Sequence, residues 1–195
     1  MIYHLLKNNK TINGELEIGG SKSESNRLLM LRKYSSDFKI TNLSRSDDTK
    51  TLIDALINRN KIIDINHAGT AMRFLLSYYA SKPNSEVILT GSDRMKNRPI
   101  GILVKALRDL GANIEYEGKE GYPPIKIIGK NLIDNEVSLP ANISSQYISS
   151  LMMLGVRIKN GIRLNLEGNI TSEPYIFMTK KLIEKIGYNV IINNN

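Results

Sequence analysis

Hydrophobic positions along this chain switch repeatedly between helical and strand spacing. The stripe that begins at Ile100 and ends at Leu110 follows i, i+3, i+4 and i+7, which gives a helix one buried face. No stretch rich in Pro, Gly or Ser is long enough to separate two domains, so the pattern predicts one continuous lobe of α/β type. The predicted helices cover residues 23–35, 48–58, 69–81, 99–110, 145–157 and 173–186, and the predicted strands cover 11–18, 38–43, 61–65, 86–89, 113–116, 125–128, 136–139, 161–166 and 188–192.

An internal repeat is visible at an offset of 76 residues. Leu107 aligns with Ile183, and Gly111 aligns with Gly187. Each glycine directly follows a predicted helix, so we expect both to adopt a left-handed conformation that ends the helix. The chain stops directly after a predicted strand, which suggests a fragment.

Composition narrows the possible chemistry. The absence of Cys excludes disulfides, thiolate zinc sites and cysteine nucleophiles, and with only His4 and His67 present we expect no metal and no cofactor. The net charge of +8 favours an anionic partner, which leaves nucleic acid, an acidic surface or a phosphorylated small molecule. No apolar run reaches the roughly 18 residues of a membrane span, so we expect a soluble, cytoplasmic protein.

The first segment that could carry chemistry is GGSKSESNR, residues 19–27. A Gly-Gly turn leads here into a helix whose first residues include Lys22 and Arg27. The unpaired N–H groups of a helix N-terminus attract anions, and two cations beside them favour a phosphate or carboxylate site. The alternative is a capping box between Ser21 and Glu24, with both cations merely solvated.

Two further segments place small residues or cations before a predicted helix. In HAGTAMR, residues 67–73, Gly69 would let a ligand approach the backbone closely; a Thr70 N-cap with a surface Arg73 is the alternative. GSDRMKNRPIG, residues 91–101, carries Arg98 next to Pro99, which is well placed to start a helix; its alternative is a basic loop.

The last two segments lie at the predicted starts of the final helices. Ser144, Ser145 and Gln146 begin one helix, and TSEPY at 171–175 begins the other. Each alone is ordinary capping chemistry. Together the five segments place hydroxyls, an amide and cations at five helix N-termini, which suits a ligand with several hydroxyls and negative charges.

These segments, in this order, resemble the 5-enolpyruvylshikimate-3-phosphate synthases, a family of enolpyruvyl transferases. The resemblance rests on GGSKSESNR, LSRSDDT, AGTAMR, LTGSDRMKNRPIG, GYPPIKI, SSQY and SEPY, and it spans nearly the whole chain. The related transferase that acts on UDP-N-acetylglucosamine differs at the first motif and usually depends on a cysteine.

The resemblance implies an α+β fold, the inside-out α/β-prism, for one lobe of a two-lobed monomeric enzyme. Such a lobe has three repeated βαβαββ units with buried helices and outer sheets. The units would cover about 19–83, 84–143 and 144–195, while residues 1–18 would form a strand belonging to the other lobe.

The family transfers the enolpyruvyl group of phosphoenolpyruvate to the 5-hydroxyl of shikimate 3-phosphate in chorismate and aromatic amino acid biosynthesis, where it is the target of glyphosate. The resemblance implies that Lys22 is catalytic and contacts both substrates, with Gln146 between them, and that Arg73 supports the site. Gly69 and Arg98 would bind phosphoenolpyruvate, and Thr70 would shape the wall next to Gly69. Shikimate 3-phosphate would be held by Ser23, Arg27, Ser144, Ser145, Ser172 and Tyr175.

The resemblance also implies what this chain lacks. The acid and base catalysts of the family lie in the second lobe, so we expect this chain to bind substrate but to be catalytically incomplete. His67 stands where the family usually has Asn, and Phe74 stands where many members have Pro.

A nucleic-acid-binding domain is the alternative from another functional class, because a pI near 9.6 is part of that signature. Against it, the cations are dispersed, aromatic residues make up only 6% of the chain, and no helix-turn-helix or RNA-binding motif is present. We therefore expect neither a nucleic-acid partner nor a membrane partner.

Overall fold

The computed structural model describes residue 4, residues 13–35 and residues 38–193. Helices and strands alternate along most of this part of the chain. The helices are α1 (Lys22–Tyr34), α2 (Asp47–Ile57), α3 (Gly69–Ala80), α4 (Asp93–Lys96), α5 (Gly101–Asp109), α6 (Ser145–Leu154) and α7 (Glu173–Lys185). The strands are β1 (Ile62–Asp64), β2 (Glu86–Thr90), β3 (Asn113–Tyr116), β4 (Ile125–Ile128), β5 (Glu136–Pro140) and β6 (Arg163–Glu167).

The strands form two sheets within the described residues. The larger is mixed and has the order β1-β2-β4-β3, in which β1 and β2 are parallel while β4 is antiparallel to both its neighbours. The smaller consists of the parallel pair β5-β6. Alternate residues of β2 and β5 are buried, so each sheet turns one face toward the core and the other toward solvent.

Helix α3 is the centre of the core, since every one of its residues is buried. A helix that is enclosed on all sides must pack against other elements around its whole circumference. Accordingly, α3 contacts α1, α2, α5, α6, β2 and β4. The fold is therefore α+β, with mixed and parallel sheets packed against a helical core.

Helices α1, α3 and α6 run in the same direction. Near their N-termini, Gln146 of α6 donates to the Thr70 hydroxyl of α3 over 3.3 Å. Further along, Ser150 of α6 donates to Ser77 of α3 at 2.7 Å. On α1, Arg27 lies over the Phe74 ring of α3, and Tyr34 lies 5.8 Å from the ring of Tyr78. The three N-termini therefore lie on the same side of the core.

Three predicted strands are wrong. Residues 13–18, 38–43 and 188–192 form no strand, while the start of the first prediction, 11–12, lies outside the described residues. Asn42 has a left-handed φ of 52°, which interrupts an extended run. Leu16 is 84% exposed and Ile191 is 75% exposed, so their alternating apolar pattern has no covering neighbour within the described chain.

The expectation for the two repeat glycines is confirmed. Gly111 has φ +94° and Gly187 has φ +92°. Ala112 N–H donates to Leu107 O, and Tyr188 N–H donates to Ile183 O at the corresponding place. Both helices thus end in the same Schellman hydrogen-bond pattern, 76 residues apart.

Gly129→Ala is expected to destabilise the fold strongly. A methyl group at Gly129 would lie 2.0 Å from Lys82 O and 2.5 Å from Tyr79 O, so backbone would have to move. We expect the free energy of unfolding to fall by about 3 kcal/mol, which lowers the melting temperature by roughly 6–12 °C. Gly118→Ala is the matched control, because its methyl group would meet only Pro124 Cδ at 3.9 Å. Equal melting temperatures for the two variants would contradict this packing.

Candidate functional site

The candidate site lies where several helices begin, and its first member is the N-terminus of α1. Ser21 caps this helix by accepting a hydrogen bond from Glu24 N–H at 3.4 Å, as the capping alternative predicts. Lys22 is nevertheless not merely solvated. Its Nζ lies 3.5 Å from Asp48 Oδ1, and its side chain is 48% exposed. The cation is held at the N-terminus of α1 while remaining accessible to a ligand.

The segment LSRSDDT is attached to α1 by side-chain hydrogen bonds. Ser44 N–H donates to Ser25 Oγ at 2.9 Å, and Thr49 Oγ1 donates to Asn26 Oδ1 at 2.8 Å. Both contacts are buried. They fix the start of α2, and with it Asp48, beside the first turn of α1.

Arg27 is buried at the centre of the helix cluster, with only 2% of its surface exposed. Its Nε donates to Thr179 Oγ1 at 2.7 Å, and its Nη2 donates to Ser149 Oγ at 2.8 Å. A third bond runs from Nη1 to Ser23 O at 2.8 Å. Arg27 therefore joins α1, α6 and α7, and the alternative that it is a solvated surface cation is wrong.

Aromatic rings complete the surroundings of Arg27. Its guanidinium lies 5.6 Å from the ring centroid of Phe74 and 5.7 Å from that of Tyr175. Burial lowers the pKa of Arg27 to about 10, and the nearby Tyr175 opposes that shift. Arg27 thus remains charged at neutral pH.

Gly69 and Arg98 form a second group at the N-terminus of α3. A methyl group built at Gly69 would lie only 2.2 Å from Nη1 of Arg98, so the guanidinium rests directly against the glycine backbone. The N-cap of α3 is Ala68, so the alternative of a Thr70 N-cap is wrong. Arg73 is 4% exposed, which also contradicts a surface position.

The segment that carries Arg98 contains a short helix, α4, where the alternative interpretation gives a basic loop. Ser92 caps α4 by accepting from Met95 N–H at 3.4 Å. The following helix, α5, begins at Gly101, two residues later than predicted. Arg98 therefore lies in the corner between two helices.

The last two segments differ from each other. Ser144 caps α6 by accepting from Gln146 N–H at 3.3 Å, and Ser145 is buried behind it. Ser172 occupies the N-cap position of α7 with a left-handed φ of 56°, and its side chain makes no capping hydrogen bond. Capping chemistry is thus confirmed at Ser144 and wrong at Ser172. Tyr175 lies in the first turn of α7 and is 43% exposed. Its ring also contacts the Arg27 guanidinium.

Contacts link several, but not all, of the sequence-predicted residues into two groups joined by α3; Lys22 instead pairs with Asp48. Arg27 reaches Ser23, Tyr175 and the α3 residue Phe74, while Thr70 of α3 contacts Gln146 and Gly69 contacts Arg98. Helix N-termini and cations at one side of the core suit an anionic ligand. Within residues 13–35 and 38–193, no cluster of three or more His, Asp or Glu side chains could hold a metal ion.

Sequence reasoning missed several residues of this site. Ser149 and Thr179 accept from Arg27, Asp48 pairs with Lys22, and Tyr147 contacts Pro99 beside Arg98. A helical signal existed for two of them. Ser149 lies four residues after Ser145, and Thr179 lies four residues after Tyr175, so each shares a helix face with a predicted site residue.

An α+β fold with cations beside several helix N-termini is compatible with a broad class of proteins, and comparison with known proteins narrows that class. The family model of EPSP synthase (3-phosphoshikimate 1-carboxyvinyltransferase) matches residues 54–195. The chain therefore belongs to the EPSP synthase family.

Curated relatives carry the same description. The chain is 48% identical over 185 residues to the 3-phosphoshikimate 1-carboxyvinyltransferase of Bacteroides fragilis. The aligned region covers 94% of this chain and 45% of the relative. It is 36% identical over 210 residues to that of Vibrio campbellii, covering 94% of this chain and 49% of the relative. The chain thus spans about half the length of the curated relatives it matches.

Solved structures agree on the fold. The EPSP synthase from Acinetobacter baumannii superimposes with a TM-score of 0.79 at 20% sequence identity, covering 96% of this chain and 47% of that one. Among the described residues, no helix is both long and apolar enough to cross a membrane.

Proposed function

We propose that this chain is one lobe of an enzyme that transfers the enolpyruvyl group of phosphoenolpyruvate to the 5-hydroxyl of shikimate 3-phosphate, with release of phosphate. The observation that carries the proposal is the buried Arg27 network. It joins α1, α6 and α7 beside the helix N-termini where the motif residues Lys22, Gly69 and Gln146 also lie.

The arrangement supports a division of the site between the two substrates. Shikimate 3-phosphate is a ring with a phosphate and hydroxyl groups, and it requires hydroxyls and a cation around it. These are supplied by Ser23, Arg27, Ser144, Ser145, Ser172 and Tyr175. Gly69 and Arg98 supply a close backbone approach and a guanidinium for phosphoenolpyruvate, with Thr70 as the adjoining wall. Lys22 contacts both ligands, and Gln146 lies between them.

The proposal extends beyond this chain. The second lobe supplies the acid and base groups, so these residues alone bind substrate without completing the reaction. Within this lobe, three βαβαββ units form an inside-out prism, divided at about residues 84 and 144. The order from β1 to β4 is β-α-β-α-α-β-β, which becomes β-α-β-α-β-β when the four-residue α4 is set aside, and the order from β5 to α7 is β-α-β-α. These two runs begin at residues 62 and 136, and their recurring order supports repeated units of this kind. The working enzyme is a cytoplasmic monomer that uses neither a metal nor a cofactor.

Binding of shikimate 3-phosphate by this chain tests the proposal. We expect saturable binding in an NMR titration, with shifts concentrated at Ser23, Arg27, Ser145 and Tyr175. Shikimate without its phosphate is the matched control and should bind at least about tenfold more weakly, because charge-assisted bonds are worth roughly 1.5–3 kcal/mol each. Calorimetry provides the affinities.

An absence of binding would contradict the proposal. If a saturating concentration of shikimate 3-phosphate produces neither heat nor shifts at these residues, the assignment fails. A parallel titration with random-sequence DNA at increasing salt distinguishes the alternative class, because binding to a phosphate backbone weakens linearly on a log–log scale.

A further inference from the structure

The carbonyl of Pro99 accepts two hydrogen bonds from different helices. The hydroxyl of Tyr147, on α6, donates to it over 2.7 Å. Nη2 of Arg73, on α3, donates to it over 3.2 Å. A carbonyl oxygen has two lone pairs, so both donors can be satisfied together. The residue directly after Arg98 is thus fixed from two sides.

Arg73 also binds the backbone at Gly69. Its Nη1 donates to Gly69 O over 3.1 Å. The Arg73 guanidinium therefore connects the backbone of Gly69 with the backbone next to Arg98, and the Arg98 side chain itself also lies against Gly69. Ser150 Oγ donates to Arg73 O at 2.9 Å, which fixes the α3 backbone in turn.

Tyr147 supports Arg73 as well as Pro99. Its ring centroid lies 5.8 Å from Arg73 Cζ, within the range of a cation–π contact. Burial lowers the pKa of Arg73, and the positive charge of Arg98 adds to that shift, whereas Tyr147 opposes it. The tyrosine thus stabilises a cation that lies buried near a second one.

We infer that Tyr147 is a positioning residue for phosphoenolpyruvate binding, acting through its hydroxyl on Pro99 O to hold the Arg98 guanidinium against Gly69. This inference rests on the proposed function, which assigns phosphoenolpyruvate to Gly69 and Arg98. Arg98 itself is exposed, and its backbone N–H bonds only to Met95 O among the described residues. A long, exposed side chain loses rotamer entropy when it binds a ligand, and this loss lowers the affinity. A rigid backbone at Arg98 reduces the number of positions that its guanidinium can take before binding.

Tyr147→Phe tests the inference, because it removes the hydroxyl and keeps the ring. In the complete encoded protein we expect the affinity for phosphoenolpyruvate to fall about fivefold, which corresponds to about 1 kcal/mol. We expect the affinity for shikimate 3-phosphate, and kcat where turnover is present, to change less than about twofold, since a lost binding contact raises KM without lowering kcat.

Tyr79→Phe is the matched control. The hydroxyl of Tyr79 also donates to a backbone carbonyl, that of Ala55 at 3.2 Å, but it lies away from the helix N-termini. This variant should lose a similar amount of stability while both ligand affinities stay unchanged. Equal loss of phosphoenolpyruvate affinity in both tyrosine variants would show a general effect on stability and would overturn the inference.

A double-mutant cycle with Arg98→Ala separates the possible failures. If Tyr147 acts through Arg98, then Tyr147→Phe should cause no further loss of phosphoenolpyruvate affinity in the Arg98→Ala background. If Arg98→Ala weakens binding but Tyr147→Phe does not, the positioning role is wrong and the proposed function stands. If Arg98→Ala leaves binding unchanged, the assignment of Arg98 is wrong, and the role of Tyr147 is overturned with it.

Discussion

Replacing Gly69 with alanine is expected to weaken phosphoenolpyruvate binding at least about tenfold while leaving shikimate 3-phosphate binding within about twofold. The added methyl group would lie 2.2 Å from Nη1, 2.9 Å from Cζ and 3.0 Å from Nη2 of Arg98. The guanidinium must therefore leave its present place. Because it is the end of a flexible side chain, it can move without disturbing the backbone.

The fold is expected to survive this substitution. Gly69 is the first residue of α3, has no left-handed φ, and lies where alanine is favourable. Calorimetry with both substrates, together with a melting curve, distinguishes the cases. Equal loss of both ligands, or a collapsed melting temperature, would mean that Gly69 is a structural turn residue. In an Arg98→Ala background the methyl group has room, so there it should cause no further loss.

Lys22→Met is expected to lower kcat/KM of the complete enzyme by about 100-fold or more. Lys22 is proposed to contact both anionic substrates, and each charge-assisted bond is worth roughly 1.5–3 kcal/mol. The same substitution should leave stability almost unchanged. The Lys22–Asp48 pair is partly exposed at 3.5 Å, and such pairs contribute about 0–1 kcal/mol.

Lys50→Met provides a matched control for the loss of a lysine from the same region. Lys50 pairs with Asp47 at 3.7 Å within α2, and both side chains are largely exposed. Its kcat/KM should stay near the wild-type value, which excludes a general effect of reduced positive charge. Near-normal turnover of Lys22→Met, or an equal loss in Lys50→Met, would contradict the role given to Lys22.

The helices longer than one turn could be predicted from the sequence because their apolar residues recur at helical spacing, whereas the four-residue α4 was not predicted. The helices that begin at Gly69, Ser145 and Glu173 were predicted to the residue at their N-termini. The strands were more difficult to predict. An alternating pattern indicates that one face of a strand is buried, but it does not identify the neighbouring strand. Residues 188–192 carry such a pattern and form no ladder with any described strand.

The site was predictable only as a set of separate segments. Motifs identified Lys22, Gly69 and Arg98, but the partners of Arg27 depend on how α1, α6 and α7 pack. Helical spacing places Ser149 and Thr179 on the same faces as Ser145 and Tyr175. It does not indicate that their hydroxyls accept hydrogen bonds from an arginine far away in the sequence. The same holds for Tyr147, whose contact with Pro99 crosses 48 residues.

The Arg27 network also joins elements that are far apart in the sequence, and this has a consequence for folding. Arg27 bonds to Ser149, 122 residues later, and to Thr179, 152 residues later. Contacts of such long sequence separation slow folding, because a large loop must close before they form. During synthesis, α1 leaves the ribosome long before α7, so the bond from Arg27 to Thr179 cannot form until α7 has been made. Completion of the Arg27 contacts is therefore coupled to the arrival of Thr179, and this part of the candidate site is among the last parts of the described chain to form.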